Sequence, residues 1–253
     1  MKHGQIKTAS EIEIIAEGGA LLRDILHKTA ARVAPGVSTL ELSDFADAAI
    51  RAIGGRPSFV GYGEKNNPFP AALCTSPNDV VVHGIPSAKV ILQAGDIIGL
   101  DIGMEYKGLF TDTAITVPVG TITPAVQKLV EATKRSMELG IAQAVAGNRI
   151  GDIGFAVQQY AEKNGFSVVR DLVGHGVGYD VHEDPQVPNY GKKGSGAKLV
   201  EGMVIAIEPM LCTGGYHVYF EDDDWTIRTE DGGLSAHFEH TVAVTKKGPR
   251  ILT

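Results

Sequence analysis

The sequence predicts an α+β domain made of two similar halves. Its apolar pattern gives two helices followed by short strand-like segments, and then the same succession again. The chain has 253 residues, 43% of them hydrophobic, enough for one large core. It also carries 31 glycines, above the typical share of about 7%. In a chain too apolar for disorder, that fits tight turns and close backbone approaches. No linker or low-complexity segment divides the halves, so a single domain over residues 1–253 is expected.

The first helix is expected from Ser10 to about Ala31, with Ile14, Gly18, Leu21, Leu22 and Ile25 on one face. The second starts at Ser38, where Ser38 and Glu41 fit a capping box, and runs to about Ile53 before Gly54-Gly55. Strands are expected at Ser58–Val60, Val80–Val82, Ile97–Ile102 and Phe110–Val117. The pattern restarts with a helix from about Pro124, marked by Val126, Val130, Met137, Ile141 and Val145. A further helix covers Ile153 to Lys163. Strands follow at Ser167–Val169, Met203–Ile207, His217–Phe220, Thr226–Arg228 and Ala236–Val244.

With 23 basic and 30 acidic residues the net charge is -7, which argues against a broad nucleic-acid surface. The opening residues are charged where a signal peptide needs an apolar stretch. No run approaches the ~18 apolar residues of a membrane span. Two cysteines, Cys74 and Cys212, make no disulfide framework, so a reducing cytoplasm is the default.

The chemistry begins in GLDIGMEYKGLFTDTAIT. Asp101 sits in an apolar strand, Asp112 begins another, and Glu105 to Gly108 looks like a tight turn. A turn centred between Tyr106 and Lys107 would set Asp101 directly opposite Asp112, on one face of the sheet. Two carboxylates so placed repel, and a bound cation removes that penalty. His175 stands between Gly174 and Gly176, where other groups can approach its backbone. His182 follows seven residues later, Glu208 ends the apolar run Met203–Ile207, and Glu239 lies within a strand. Alone, each has an ordinary structural explanation. Together, four carboxylates and one imidazole balance two divalent cations, and they suit Mn, Fe, Co or Zn better than a thiolate site would. Such a pair can hold a bridging hydroxide and polarise a carbonyl.

Over nearly its whole length the sequence resembles the type I methionine aminopeptidases of the pita-bread fold. The motifs are NDVVVHGIP, GLDIG, TDTA, GHGVG with VHEDPQVPNYG, IEPM and FEHT. The resemblance implies a curved, mostly antiparallel sheet with helices packed outside it. It also implies removal of N-terminal methionine from nascent chains at the ribosome, when the second residue is small. By the same resemblance Asp101 chelates one metal, His175 and Glu208 hold the other, and Asp112 and Glu239 bridge both. Glu208 shuttles the proton of the bridging water. His83 bonds the nitrogen of the scissile peptide, and His182 bonds a carbonyl oxygen and stabilises the oxyanion. Tyr62, Phe69, Cys74 and Trp225 line the methionine pocket, and Asn78, Val80 and Ser235 match a monovalent-cation site.

The stretch of 25 residues between His182 and Glu208 leaves no room for the helical insertion of the type II enzymes. No Cys/His-rich extension or large domain precedes the first helix in this sequence, so a minimal bacterial-type monomer with no membrane or nucleic-acid role is expected. Three features depart from the family pattern: Phe59 stands where many members have cysteine, His237 where many have glutamine, and Tyr62 to Cys74 is about four residues longer than usual. The competing readings are an Xaa-Pro peptidase of the same fold, which shares all five ligands, and a non-catalytic partner-binding relative, which would have lost some of them.

Overall fold

Each half opens with a capped pair of helices. At the start of helix α1 (Ala9–Ala30) the Glu11 N–H donates to Thr8 Oγ1 at 3.3 Å, and the Thr8 N–H donates to Glu11 Oε2 at 2.7 Å. Helix α2 (Thr39–Ala52) begins on Ser38 and Glu41 in the same way, as its sequence predicts. Helix α3 (Pro124–Ile141) starts with proline in its first turn, where the missing N–H costs nothing. Helix α4 (Ile150–Lys163) starts three residues before the expected Ile153, because Asp152 Oδ2 accepts the Arg149 N–H at 2.8 Å and caps the end there. The structure is a computed structural model that describes residues 6–253; the charged opening, Met1 to Gln5, lies outside the described residues.

The helices of each half cover their own part of the sheet. From α1 and α2, Leu22, Leu26, Leu42 and Ile50 pack against Leu73, Leu100, Ile102 and Met104. From α3 and α4, Leu129, Met137, Ile141 and Ile153 pack against Ile205, Ile207, Val242 and Val244. A fully buried side chain of this kind contributes ~1.5–3 kcal/mol. These apolar layers fix the helix-facing side of the strands, and the site occupies the other side.

Among the described residues the main sheet has nine strands, and every pairing in it is antiparallel. At its centre Ile97–Tyr106 pairs with Leu109–Pro118, which pairs with Glu239–Thr245, which pairs with Val204–Ile207 and then Gly174–Gly176. Leu73–Pro77 lies against Ile97–Tyr106. Two three-stranded sheets complete the fold. Among the described residues no helix is long and apolar enough to cross a membrane.

The central hairpin corrects one expectation. Tyr106 pairs with Leu109, so the turn is Lys107-Gly108, with φ of 53° and 82°. Positive φ at both residues is the geometry of the two-residue hairpin turn that matches strand twist. Asp112 therefore faces Gly103, and Asp101 faces Ala114. The shift is two residues, and side chains alternate with period two, so both carboxylates keep the same face.

Other strands differ from expectation for local reasons. Pairing at Ser58–Val60 is replaced by Arg56–Pro57 opposite Glu105 and Met104, because the chain turns from Phe59 to Tyr62 through Gly61 at φ 82°. The expected run Ala236–Val244 splits at Phe238 into Ser235–His237 and Glu239–Thr245, which join different sheets. Leu73–Pro77 escapes periodicity because it is buried on both faces.

Candidate active site

One row of the sheet builds the floor. Cys74 pairs with Asp101, Asp101 with Ala114, and Ala114 with Glu239, so these four side chains share one face across four strands. Asp112 is two residues from Ala114 and points the same way. The small Ala114 stands between Asp101 and Glu239 in this row. Met210 pairs with His237 and Ile207 with His240, and this common register sets Glu208 level with Glu239.

His175 comes from Gly174–Gly176. A Cβ on Gly174 would lie 2.4 Å from the Ala206 carbonyl oxygen, and one on Gly176 would lie 2.3 Å from that of Asp184. Only glycine on both sides lets the backbone of His175 pass between its neighbours. The resulting ring position puts His175 Nε2 3.5 Å from Asp112 Oδ2 and 3.4 Å from Glu208 Oε1. Asp112, His175 and Glu239, all buried, offer ligand atoms within 4.8 Å of one another. Asp101 and Glu208 line the same cavity.

The electrostatics are those of a cation site. Burial, and then repulsion among the acids, pushes Glu239 well above the carboxylate range. Burial is also the main cause of the upward shifts of Asp101, Asp112 and Glu208. Burial alone would lower His175, but Asp112 and Glu208 outweigh it and raise that imidazole. His175 Nδ1 lies 2.9 Å from the Gly176 carbonyl, which accepts a proton carried there and leaves the Nε2 lone pair toward the carboxylates. Oxygen donors with one imidazole nitrogen, crowded and buried without a counter-cation among the side chains, fit divalent first-row ions.

Threonines brace this floor. Thr241 Oγ1 accepts the Asp112 N–H at 3.2 Å and approaches Asp112 O at 2.8 Å and Oδ1 at 3.1 Å. Thr113 Oγ1 donates to the Glu239 carbonyl at 2.8 Å. Asn189, from the VHEDPQVPNYG motif, donates to the Glu208 carbonyl at 3.0 Å. Sequence reasoning assigned none of these a role; the even spacing of Thr111, Thr113, Glu239 and Thr241 along their strands is the signal that could have found them.

Above the floor lies a cleft of about 520 Å³, counting its open mouth, lined by every proposed ligand and pocket residue. Besides the four acids and His175 these are Tyr62, Phe69, Cys74, His83, His182 and Trp225, joined by Phe59. The acidic members are Asp101, Asp112, Glu208 and Glu239. Phe69 meets Trp225 edge to face with ring centroids 5.3 Å apart. Trp225 Nε1 donates to the Asn67 carbonyl at 3.1 Å, which ties the long Tyr62–Cys74 loop across the cleft. Burial, then Asp101 and Glu239, keeps Cys74 a neutral thiol suited to an apolar wall. Burial, then His237 and His175, holds His83 at about 4. His83 also sits at φ 57°, a strained position for a non-glycine residue, and such strain concentrates at functional sites. His182, at the open mouth, is lowered by desolvation first and then by His175 and His83. His237 Nε2 is buried without a hydrogen-bond partner, 3.6 Å from Glu208 Oε2. Away from the cleft, the Ser235 N–H donates to the Asn78 carbonyl at 2.8 Å, and Val80 follows two residues after Asn78.

The sequence profile of metallopeptidase family M24 matches residues 13–246. A methionine aminopeptidase of Clostridium acetobutylicum is 46% identical over 248 residues, 98% of each chain. The chain belongs to the methionine aminopeptidases of family M24. The crystal structure of a methionine aminopeptidase from Thermotoga maritima superposes with a TM-score of 0.96 at 39% identity, covering 99% of both chains. The pita-bread fold and the bacterial type I character expected from the sequence are thereby borne out. Prolidase from Pyrococcus furiosus gives a TM-score of 0.76 at 22% identity, with 98% of this chain covering 65% of that one, a likeness of fold alone. The buried Asp112, His175 and Glu239 form a group that could hold a metal ion, in keeping with metallopeptidase family M24.

Proposed function

We propose that this M24 peptidase hydrolyses the first peptide bond of its substrates and so removes N-terminal methionine when the second residue is small. Removal of N-terminal methionine is the activity of its family branch. The single domain carries the whole site. Asp101 would hold one ion, His175 and Glu208 the other, and Asp112 and Glu239 both. Bound there, a pair of Co, Mn, Fe or Zn ions would supply the nucleophilic hydroxide and polarise the scissile carbonyl. The protein groups supply the rest. The methionine side chain enters the recess of Tyr62, Phe69, Cys74 and Trp225, where thioether and rings make favourable contacts. His83 bonds the scissile nitrogen, His182 donates to the developing oxyanion, and Glu208 carries the proton from the attacking water to the leaving amine.

The observation that supports this most is the row Cys74, Asp101, Ala114, Glu239, which joins a pocket wall to the ligand floor in one register. Nascent polypeptide N-termini in the cytoplasm, met by a monomer at the ribosome, are the fitting substrate. A monovalent cation at Asn78, Val80 and Ser235 is part of the same proposal. Chelation followed by dialysis should abolish cleavage of Met-Ala-Ser, and Co or Mn should restore it. Full turnover in rigorously metal-free protein would overturn the mechanism.

A further inference from the structure

Tyr62 and His182 come from different parts of the chain and meet at the mouth of the cleft. Tyr62 Oη lies 2.6 Å from His182 Nδ1, and the rings are 5.0 Å apart at an interplanar angle of 55°. Among the described residues no other group bonds that nitrogen. The same imidazole packs edge to face on His175, with centroids 4.3 Å apart, and both rings line the cleft.

A contact this short holds a proton between the two atoms, and the donor must be decided. A neutral imidazole carries one N–H, on Nδ1 or on Nε2, and the other nitrogen accepts. A phenol keeps its proton at neutral pH, and desolvation, then Asp180, raises Tyr62 further. Tyr62 therefore has a proton to give. When it gives that proton to Nδ1, the imidazole N–H is left on Nε2, where it can meet an acceptor in the cleft. The opposite arrangement would spend the single imidazole N–H on the tyrosine and leave a lone pair facing the substrate oxygen.

We propose that Tyr62 is a positioning residue whose hydroxyl donates to His182 Nδ1, holding His182 as the Nε2–H tautomer aimed at the substrate carbonyl oxygen. The proposal rests on the reading of His182 as the oxyanion donor and adds what keeps it in donor form. It also gives Tyr62 a task besides lining the methionine pocket: its ring forms the wall while its hydroxyl serves the chemistry. Removal of the hydroxyl with retention of the ring separates the two.

The test is nitrogen-15 NMR of the histidine rings in the zinc-loaded enzyme, with His182 assigned by the signal lost in His182→Ala. Native protein should show His182 protonated at Nε2. Tyr62→Phe should admit the Nδ1–H tautomer and lower kcat on Met-Ala-Ser roughly three- to tenfold, the worth of one hydrogen bond. KM should stay within about twofold, since the wall remains. The sole tryptophan, Trp225, bonded to Asn67 of the same loop, reports by its emission whether the loop stays docked in Tyr62→Phe. If the emission shifts, the native spectrum decides alone. An Nδ1–H proton on native His182, or a docked Tyr62→Phe with native kcat and tautomer, overturns the proposal. Undiminished kcat in His182→Ala would instead sink the oxyanion reading beneath it.

Discussion

The floor of the cleft and its rim are built in different ways. On the floor, Asp101, Asp112 and Glu239 stand on paired strands, with Thr113 and Thr241 bonded to their backbones or carboxylates. On the rim, Tyr62, Phe69, Trp225 and His182 stand on loops, held by turn hydrogen bonds, a few side-chain bonds and ring contacts rather than strand ladders. The difference follows from the load each part carries. Carboxylates forced together in a buried place repel one another, so their positions need regular ladders. Walls that admit a methionine side chain and release it need only be apolar and placed.

The largest test of that contrast removes charge from the floor. Asp112→Asn and Glu239→Gln should each lower kcat on the order of a thousandfold or more, because an ion loses an anionic ligand worth several kcal/mol in the reaction. Circular dichroism should remain native and bound metal should fall. A folded, metal-depleted variant with near-native turnover would break the assignment of bridging ligands. The rim should respond less. His182→Ala should lower kcat by about two orders of magnitude, the usual cost of a lost oxyanion donor. Its metal content should stay unchanged; a parallel fall in metal would move His182 from the rim to the floor.

The same contrast explains what the sequence revealed. The five proposed ligands were legible because an acid or histidine within an apolar strand, or between glycines, stands out against its surroundings. Their common face was legible too, since a two-residue error in the hairpin leaves side-chain direction unchanged. The register itself was not, because Lys107 gives no sign in sequence that it adopts positive φ. The short strands Gly174–Gly176 and Met210–Cys212 were illegible for a different reason: three residues carry no period. Rim contacts such as Trp225 to Asn67 join residues 158 positions apart, and only the folded chain brings them together. The helices α1 and α2 were read nearly whole because their caps and apolar faces agree.

A smaller effect should appear in the stability of metal-free protein. Burial first raises Asp101 to about 7 and Glu208 to about 8, against roughly 4 for unfolded chains. Above about 6.5 the buried His83 and His182 are neutral in folded and unfolded chains alike, while these carboxyls keep protons that the unfolded state has lost, so stability is lost as pH rises toward 8. The chelated protein should therefore melt on the order of 5 °C lower at pH 8 than at pH 6.5. Added divalent metal should recover more of the melting temperature at pH 8. A chelated protein that gained stability over this range would contradict the picture of a floor that needs cations.

The account stands or falls on which amino terminus the assembled cleft accepts. Its direct measurement is kcat/KM of the metal-loaded enzyme on Met-Ala-Ser, Met-Lys-Ser, Leu-Ala-Ser and Ala-Pro-Ser. A straight thioether chain should fit the recess of Tyr62, Phe69, Cys74 and Trp225, whereas a branched leucine should lose ~1–3 kcal/mol, or about ten- to hundredfold. Met-Ala-Ser should lead, and Met-Lys-Ser should be nearly inert if the space beside His83 is tight. Equal cleavage of Met-Ala-Ser and Leu-Ala-Ser, or preference for Ala-Pro-Ser, would contradict it.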